Sequence, residues 1–162
     1  MTTIRTLAAS IALAALLGST ALASGGHDEN LAGRPGNPND VVRAVRLVAS
    51  EIKFDVNKHS FRTGETIKFV IVNKGEQDHE LAIGDAAFQR NHCEEMEEMA
   101  AMDHASVKGM RGHEHAAGSA VTVKPGETRE LVWQFTRPGT FEFDCNFPGH
   151  TEAGMAGTIT VS

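Results

Sequence analysis

Leu131-Val-Trp133-Gln-Phe135-Thr-Arg137-Pro138-Gly139-Thr-Phe141-Glu-Phe143-Asp-Cys145 decides the fold class. Leu131, Trp133 and Phe135 alternate with other residues, and Phe141 and Phe143 do the same after the Arg137-Pro138-Gly139 turn. A period of two places every second side chain on one face, the pattern of a half-buried strand. The rhythm extends outward in both directions. Val121 and Val123 lead into the turn Lys124-Pro125-Gly126-Glu127, and Gly157 to Val161 reads as a closing strand. Upstream, Thr66 to Val72 is strongly β-forming after Thr63-Gly64-Glu65. Leu81 and Ile83 continue a strand after His79. Val41, Val45 and Leu47 open an apolar series, and Ile52, Phe54 and Val56 alternate as a further half-buried strand. Seven to eight short strands with regular turns predict an all-β antiparallel sandwich with Greek-key connections.

Residues 85–119 break that rhythm. Asn91 followed by Glu94 predicts a helix N-cap with its capping-box partner, and the Glu, Met and Ala content predicts a helix from about His92 to Ala101. His104 to Gly118 then falls apart into Gly, His and small residues, so the segment reads as a helix-loop insert. At the start, residues 1–23 have the form of a signal peptide. Arg5 precedes the apolar run Leu7 to Leu17 and the small-x-small site Ala21-Leu22-Ala23. Residues 24–40, which include His27, carry no apolar period and read as a flexible leader. Residues 41–162 remain as one domain.

The chain has 162 residues and a net charge of −6, which argues against nucleic-acid binding. It is 41% hydrophobic, enough for a core and too polar for an integral membrane protein. Two cysteines cannot make a disulfide framework, whereas eight histidines and six methionines are a large donor supply.

Those donors concentrate in Cys145-Asn-Phe-Pro-Gly-His150-Thr-Glu-Ala-Gly-Met155, a C-x4-H-x4-M segment between two predicted strands. From this composition, a cysteine with His at +5 and Met at +10 arises by chance about 0.002 of the time. Thiolate, imidazole and thioether together suit copper, which cycles between a softer and a harder state. A trigonal copper site with a weak axial methionine needs one more histidine. His79 is the best candidate, because it follows the turn-like Asn73 to Asp78 and begins a strand.

With these residues in hand, the chain resembles the cupredoxins, blue-copper proteins of the plastocyanin and azurin kind. Asn73-x-Gly75, the C-x4-H-x4-M loop and Met155-Ala-Gly-Thr-Ile-Thr-Val161 carry the resemblance. His79-Glu-Leu-Ala-Ile-Gly84, Pro125-Gly-Glu-Thr128 and Gly139-Thr-Phe-Glu-Phe143 are similar to a periplasmic subgroup associated with copper tolerance. The resemblance implies one type 1 copper held by His79, Cys145, His150 and Met155. Glu80 departs from plastocyanin and azurin, where Asn usually ties the two ligand loops together.

A second soft site is a further expectation. Cys93, Met96, Met99 and Met102 are spaced by three, and His92 and His104 flank them. Each step of three falls back about 60° on a helix, so Cys93, Met96 and Met99 span about 120° while Met102 lies opposite Cys93. Such donors favour Cu(I), although a methionine stripe is also what packs a helix down. Met110, His113 and His115 add adaptable donors. The expected function is a periplasmic copper-binding protein that contributes to copper tolerance by binding or relaying the ion, with a copper-handling or redox protein as partner. The alternative is a soluble one-electron carrier. A copper enzyme typically needs a second catalytic copper and further cupredoxin domains, so none is expected here.

Overall fold

The computed structural model describes residues 30, 32–102 and 118–162. The signal peptide, His27, His104, Met110, His113 and His115 lie outside the described residues. Among the described residues, ten strands form two five-stranded sheets. The first runs β1 (Gly33–Pro35), β8 (Thr128–Phe135), β5 (Thr66–Asn73), β2 (Val41–Ser50), β3 (Lys53–Phe54). The second runs β4 (Lys58–Phe61), β10 (Ala156–Val161), β9 (Gly139–Asp144), β6 (His79–Gly84), β7 (Ala120–Val123).

Alternation along each strand builds the core between the sheets. Ile67, Phe69 and Ile71 of β5 and Leu131, Trp133 and Phe135 of β8 point inward from one side. Leu81, Ile83, Phe141, Phe143 and Ile159 answer from the other. Phe135 stacks on Phe61 at 5.0 Å between ring centroids, with Phe69 edge-on to Phe61. Each such side chain contributes roughly 1.5–3 kcal/mol through burial. The Arg137-Pro138-Gly139 turn closes no hairpin, since β8 and β9 pair in different sheets. It carries the chain across the sandwich and leaves Cys145 at the far end of β9.

Several expectations need correction. The sandwich is mixed, because β2 pairs β5 and β10 pairs β4 in parallel. These pairs join strands distant in the chain, and alternation within a strand carries no information on its partner's direction. Residues 33–35, expected in a flexible leader, form β1 by pairing with residues 133–135. Of Ile52, Phe54 and Val56 only Phe54 is buried; Ile52 is 36% and Val56 40% exposed. A tight turn at Glu51 (φ 49°) and Ile52 leaves a two-residue edge strand there.

The helix, α1, spans Ala86–Ala101 and starts earlier than the sequence predicts. Its cap is Asp85, whose carboxylate accepts the N–H groups of Ala87 and Phe88. An aspartate directly after the β6 strand satisfies those donors as well as Asn91 could, and six residues sooner along the chain. Gln89 fastens α1 to the outer face of the second sheet, donating to the carbonyls of Ala82 (2.9 Å) and Glu142 (3.3 Å). Among the described residues no helix is long and apolar enough to cross a membrane.

Candidate metal centre

Strand register brings the predicted donors to one end of the second sheet. β6 and β9 are antiparallel, with Ala82 opposite Asp144, so the start of β6 and the end of β9 meet. His79 and Cys145 occupy those two ends. The loop after Cys145 returns through backbone bonds: His150 N–H to Phe147 O, Met155 N–H to His150 O, and Cys145 N–H to Met155 O at 3.0 Å. Glycines at 149 and 154 take the positive φ values, 82° and 96°, that this reversal requires.

Donor atoms of His79, Cys145 and His150 lie within 4.8 Å of one another. Cys145 Sγ is 3.3 Å from His150 Nδ1 and 4.0 Å from His79 Nδ1. All three residues are buried, as is Met155. The backbone N–H of Glu80 donates to Cys145 Sγ at 3.3 Å. Gly75 closes over His79, where a Cβ would stand 3.1 Å from Nε2.

This pocket is chemically suited to a metal ion. Burial lowers the His79 pKa, the neighbouring His150 lowers it further, and Asp78 opposes both. Burial also lowers His150, against Glu152. Both imidazoles are thus biased toward the neutral form that ligates. Burial pushes the Cys145 thiol up to about 11; the Glu80 and Phe147 N–H groups pull it down, and the Glu80 and Asp144 charges push it up. A thiolate here needs a cation beside it, and two neutral imidazoles alongside complete a donor set that fits copper.

Sequence reading missed the supports. Asn73 donates through Nδ2 to Gln77 O (2.7 Å) and Val123 O (2.8 Å), while its Oδ1 accepts the Gly75 N–H. This fixes the loop that presents His79. Gln77 Oε1 lies 3.2 Å from His150 Nε2, tying that loop to the C-terminal one. The Asn73-x-Gly75 spacing was the available signal for the first support; nothing in the sequence marked Gln77.

The expected soft set on α1 divides. His92 is turned inward, its Nε2 2.9 Å from Glu80 Oε2, with its ring stacked on Phe88. Met96 is buried, Met99 half-buried, and Met102 exposed at the helix end. His92 and Met96 thus lie on the buried side of α1. Cys93 stands apart, with donor atoms of Glu97 and Glu152 within 4.8 Å.

Residues 42–162 match the family of copper binding proteins described as plastocyanin/azurin. The chain is 39% identical to the copper-resistant cuproprotein CopI of Rubrivivax gelatinosus, over 93% of both chains. It is 36% identical to the protein of that name from Pseudomonas aeruginosa, again over 93% of both. Among solved structures, reduced auracyanin from Roseiflexus castenholzii shares the fold with a TM-score of 0.61 at 22% identity, over 75% of this chain and 98% of that one. A sandwich that gathers a buried cysteine sulfur and two imidazoles at one end, together with this match over most of its length, means that the chain belongs to the plastocyanin/azurin family of copper-binding proteins.

Proposed function

We propose that this chain is an exported, periplasmic type 1 copper protein that contributes to copper tolerance by binding copper or relaying it to another protein. In this reading residues 1–23 direct export and residues 41–162 form the working domain. The observation that carries it is the buried convergence of His79, Cys145 and His150 within 4.8 Å. Similarity to curated copper-resistant cuproproteins over 93% of the chain supports the tolerance role. Cys145 would supply the thiolate, His79 and His150 the imidazoles and Met155 the thioether that hold copper. Copper, when bound, supplies a one-electron couple between Cu(I) and Cu(II). The protein's part is to hold neutral imidazoles, to offer the thiolate an N–H from Glu80, and to keep water from the buried sulfur.

The test is growth of a strain lacking the gene in high copper. Wild-type chain restores growth in this reading and Cys145→Ser does not. Full rescue by Cys145→Ser would refute the site's role in tolerance. A growth defect confined to respiration, with copper tolerance intact, would transfer the function to electron carriage.

A further inference from the structure

A cavity of about 570 Å³ lies between α1 and the outer face of the second sheet, separate from the cluster of His79, Cys145 and His150. Cys93, Glu94 and Glu97 border it from the helix, and Glu142, Asp144 and Asn146 from the β9 side. Cys93 and Glu97 are four apart and so share a helix face. Glu152, from the loop between His150 and Met155, completes the group: one donor atom each of Cys93, Glu97 and Glu152 falls within 4.8 Å of the others.

An independent observation at the cavity floor also points to a ligand. Phe143 of β9 faces the core, so Asp144 faces outward, beneath α1. Asp144 is only 5% exposed, yet its Oδ1 is buried without a hydrogen-bond partner. Asn146, 1% exposed, likewise leaves its Oδ1 unpartnered while its Nδ2 donates to Gln89. Lys58 and Arg90 border the same cavity, but none of these carboxylates forms an ion pair with either among the described residues. Buried acceptors without donors and a thiol ringed by carboxylates are both relieved by a cation.

We propose that Cys93, Glu97 and Glu152, beside the cavity that the buried Asp144 also lines, form a second metal site that takes a divalent cation of borderline softness such as Zn(II). One sulfur with several carboxylate oxygens is a donor set such a cation accepts. The site differs from the soft Cys/Met stripe expected from sequence, because its partners for Cys93 are oxygens. It lies outside the type 1 set and does not depend on the copper reading.

The test uses full-length protein whose type 1 site is first filled with copper and reduced, so that it is colourless. Zn(II) titration followed by calorimetry is expected to show one further equivalent bound. Co(II) should give a thiolate-to-metal band in the near ultraviolet. Cys93→Ser should abolish that band. Glu97→Gln and Glu152→Gln should weaken Zn(II) binding by about tenfold or more, at least the loss typical of an outer-shell partner. All three side chains are partly or fully exposed, and unchanged far-ultraviolet dichroism confirms folding. Absence of the extra equivalent, or Zn(II) and Co(II) binding equal in the wild type and all three variants, overturns the proposal. The blue or green colour of the oxidised copper form, read separately, reports whether the type 1 site itself is intact.

Discussion

The carboxylate of Glu80 and the imidazole of His92 meet at 2.9 Å inside the protein, where the two side chains are 0% and 2% exposed. Glu80 lies on β6 between His79 and the core residue Leu81, so its side chain points to the outer face that α1 covers. Its own N–H meanwhile donates to Cys145 Sγ. One residue thus joins the helical insert to the candidate copper ligand. This is how the chain accommodates glutamate where plastocyanin and azurin usually carry asparagine.

His92→Ala leaves the Glu80 carboxylate buried without its partner. The expected loss is about 3–5 kcal/mol of stability, read from urea unfolding monitored by dichroism. Glu80→Gln keeps the shape and one hydrogen bond, and should cost about 1–3 kcal/mol. A cost near zero for His92→Ala would mean that the pair does not hold the helix down.

The same pair gives a pH signature. Burial lowers the His92 pKa, but the Glu80 hydrogen bond and charge, with a smaller contribution from Glu95, outweigh it and leave it raised above 6.5. A raised folded-state pKa contributes stability that is complete below the unfolded value and lost as the pH rises through the folded one. His79 and His150 are shifted the other way, so the difference between wild type and His92→Gln isolates the effect. That stability difference should be largest below about 6.5 and shrink as the pH rises above it. A flat difference would mean that folding does not shift the His92 pKa.

Cys145→Ser should remove the intense visible absorption of the Cu(II) protein, because a hydroxyl cannot supply the thiolate charge transfer. Met155→Leu should keep both colour and copper while raising the reduction potential, measured by redox titration. Its stability cost should stay below about 1.5 kcal/mol, since leucine nearly preserves the buried volume. Copper loss in Met155→Leu would contradict a weak axial role.

The methionines of α1 should separate by burial. Met96→Ala is expected to cost about 2–5 kcal/mol, whereas Met102→Ala, at an exposed helix end, should fall within about 0.5 kcal/mol of wild type. Equal effects, scored by thermal unfolding, would mean that the stripe has no packing side.

Sequence alone made the main core strands and the candidate donor residues legible. Period-two alternation in Leu131, Trp133 and Phe135, or in Ile67, Phe69 and Ile71, is a local property that burial rewards directly, so it survives folding unchanged. The spacing from Cys145 to Met155 also lies within one loop, and its glycines and proline allow the donors to converge. Only the tertiary structure decided which strands pair in parallel, that Arg137-Pro138-Gly139 crosses between sheets, and that α1 begins at Ala86 under an Asp85 cap. It also decided the partners of α1. His92 and Cys93 are neighbours that read alike as metal donors, yet about 100° of helix rotation turns one inward to Glu80 and the other toward Glu97 and Glu152. Glu80 comes from β6 and Glu152 from the C-terminal loop, and an amino-acid string carries no record of which residue of another element a helix face will meet.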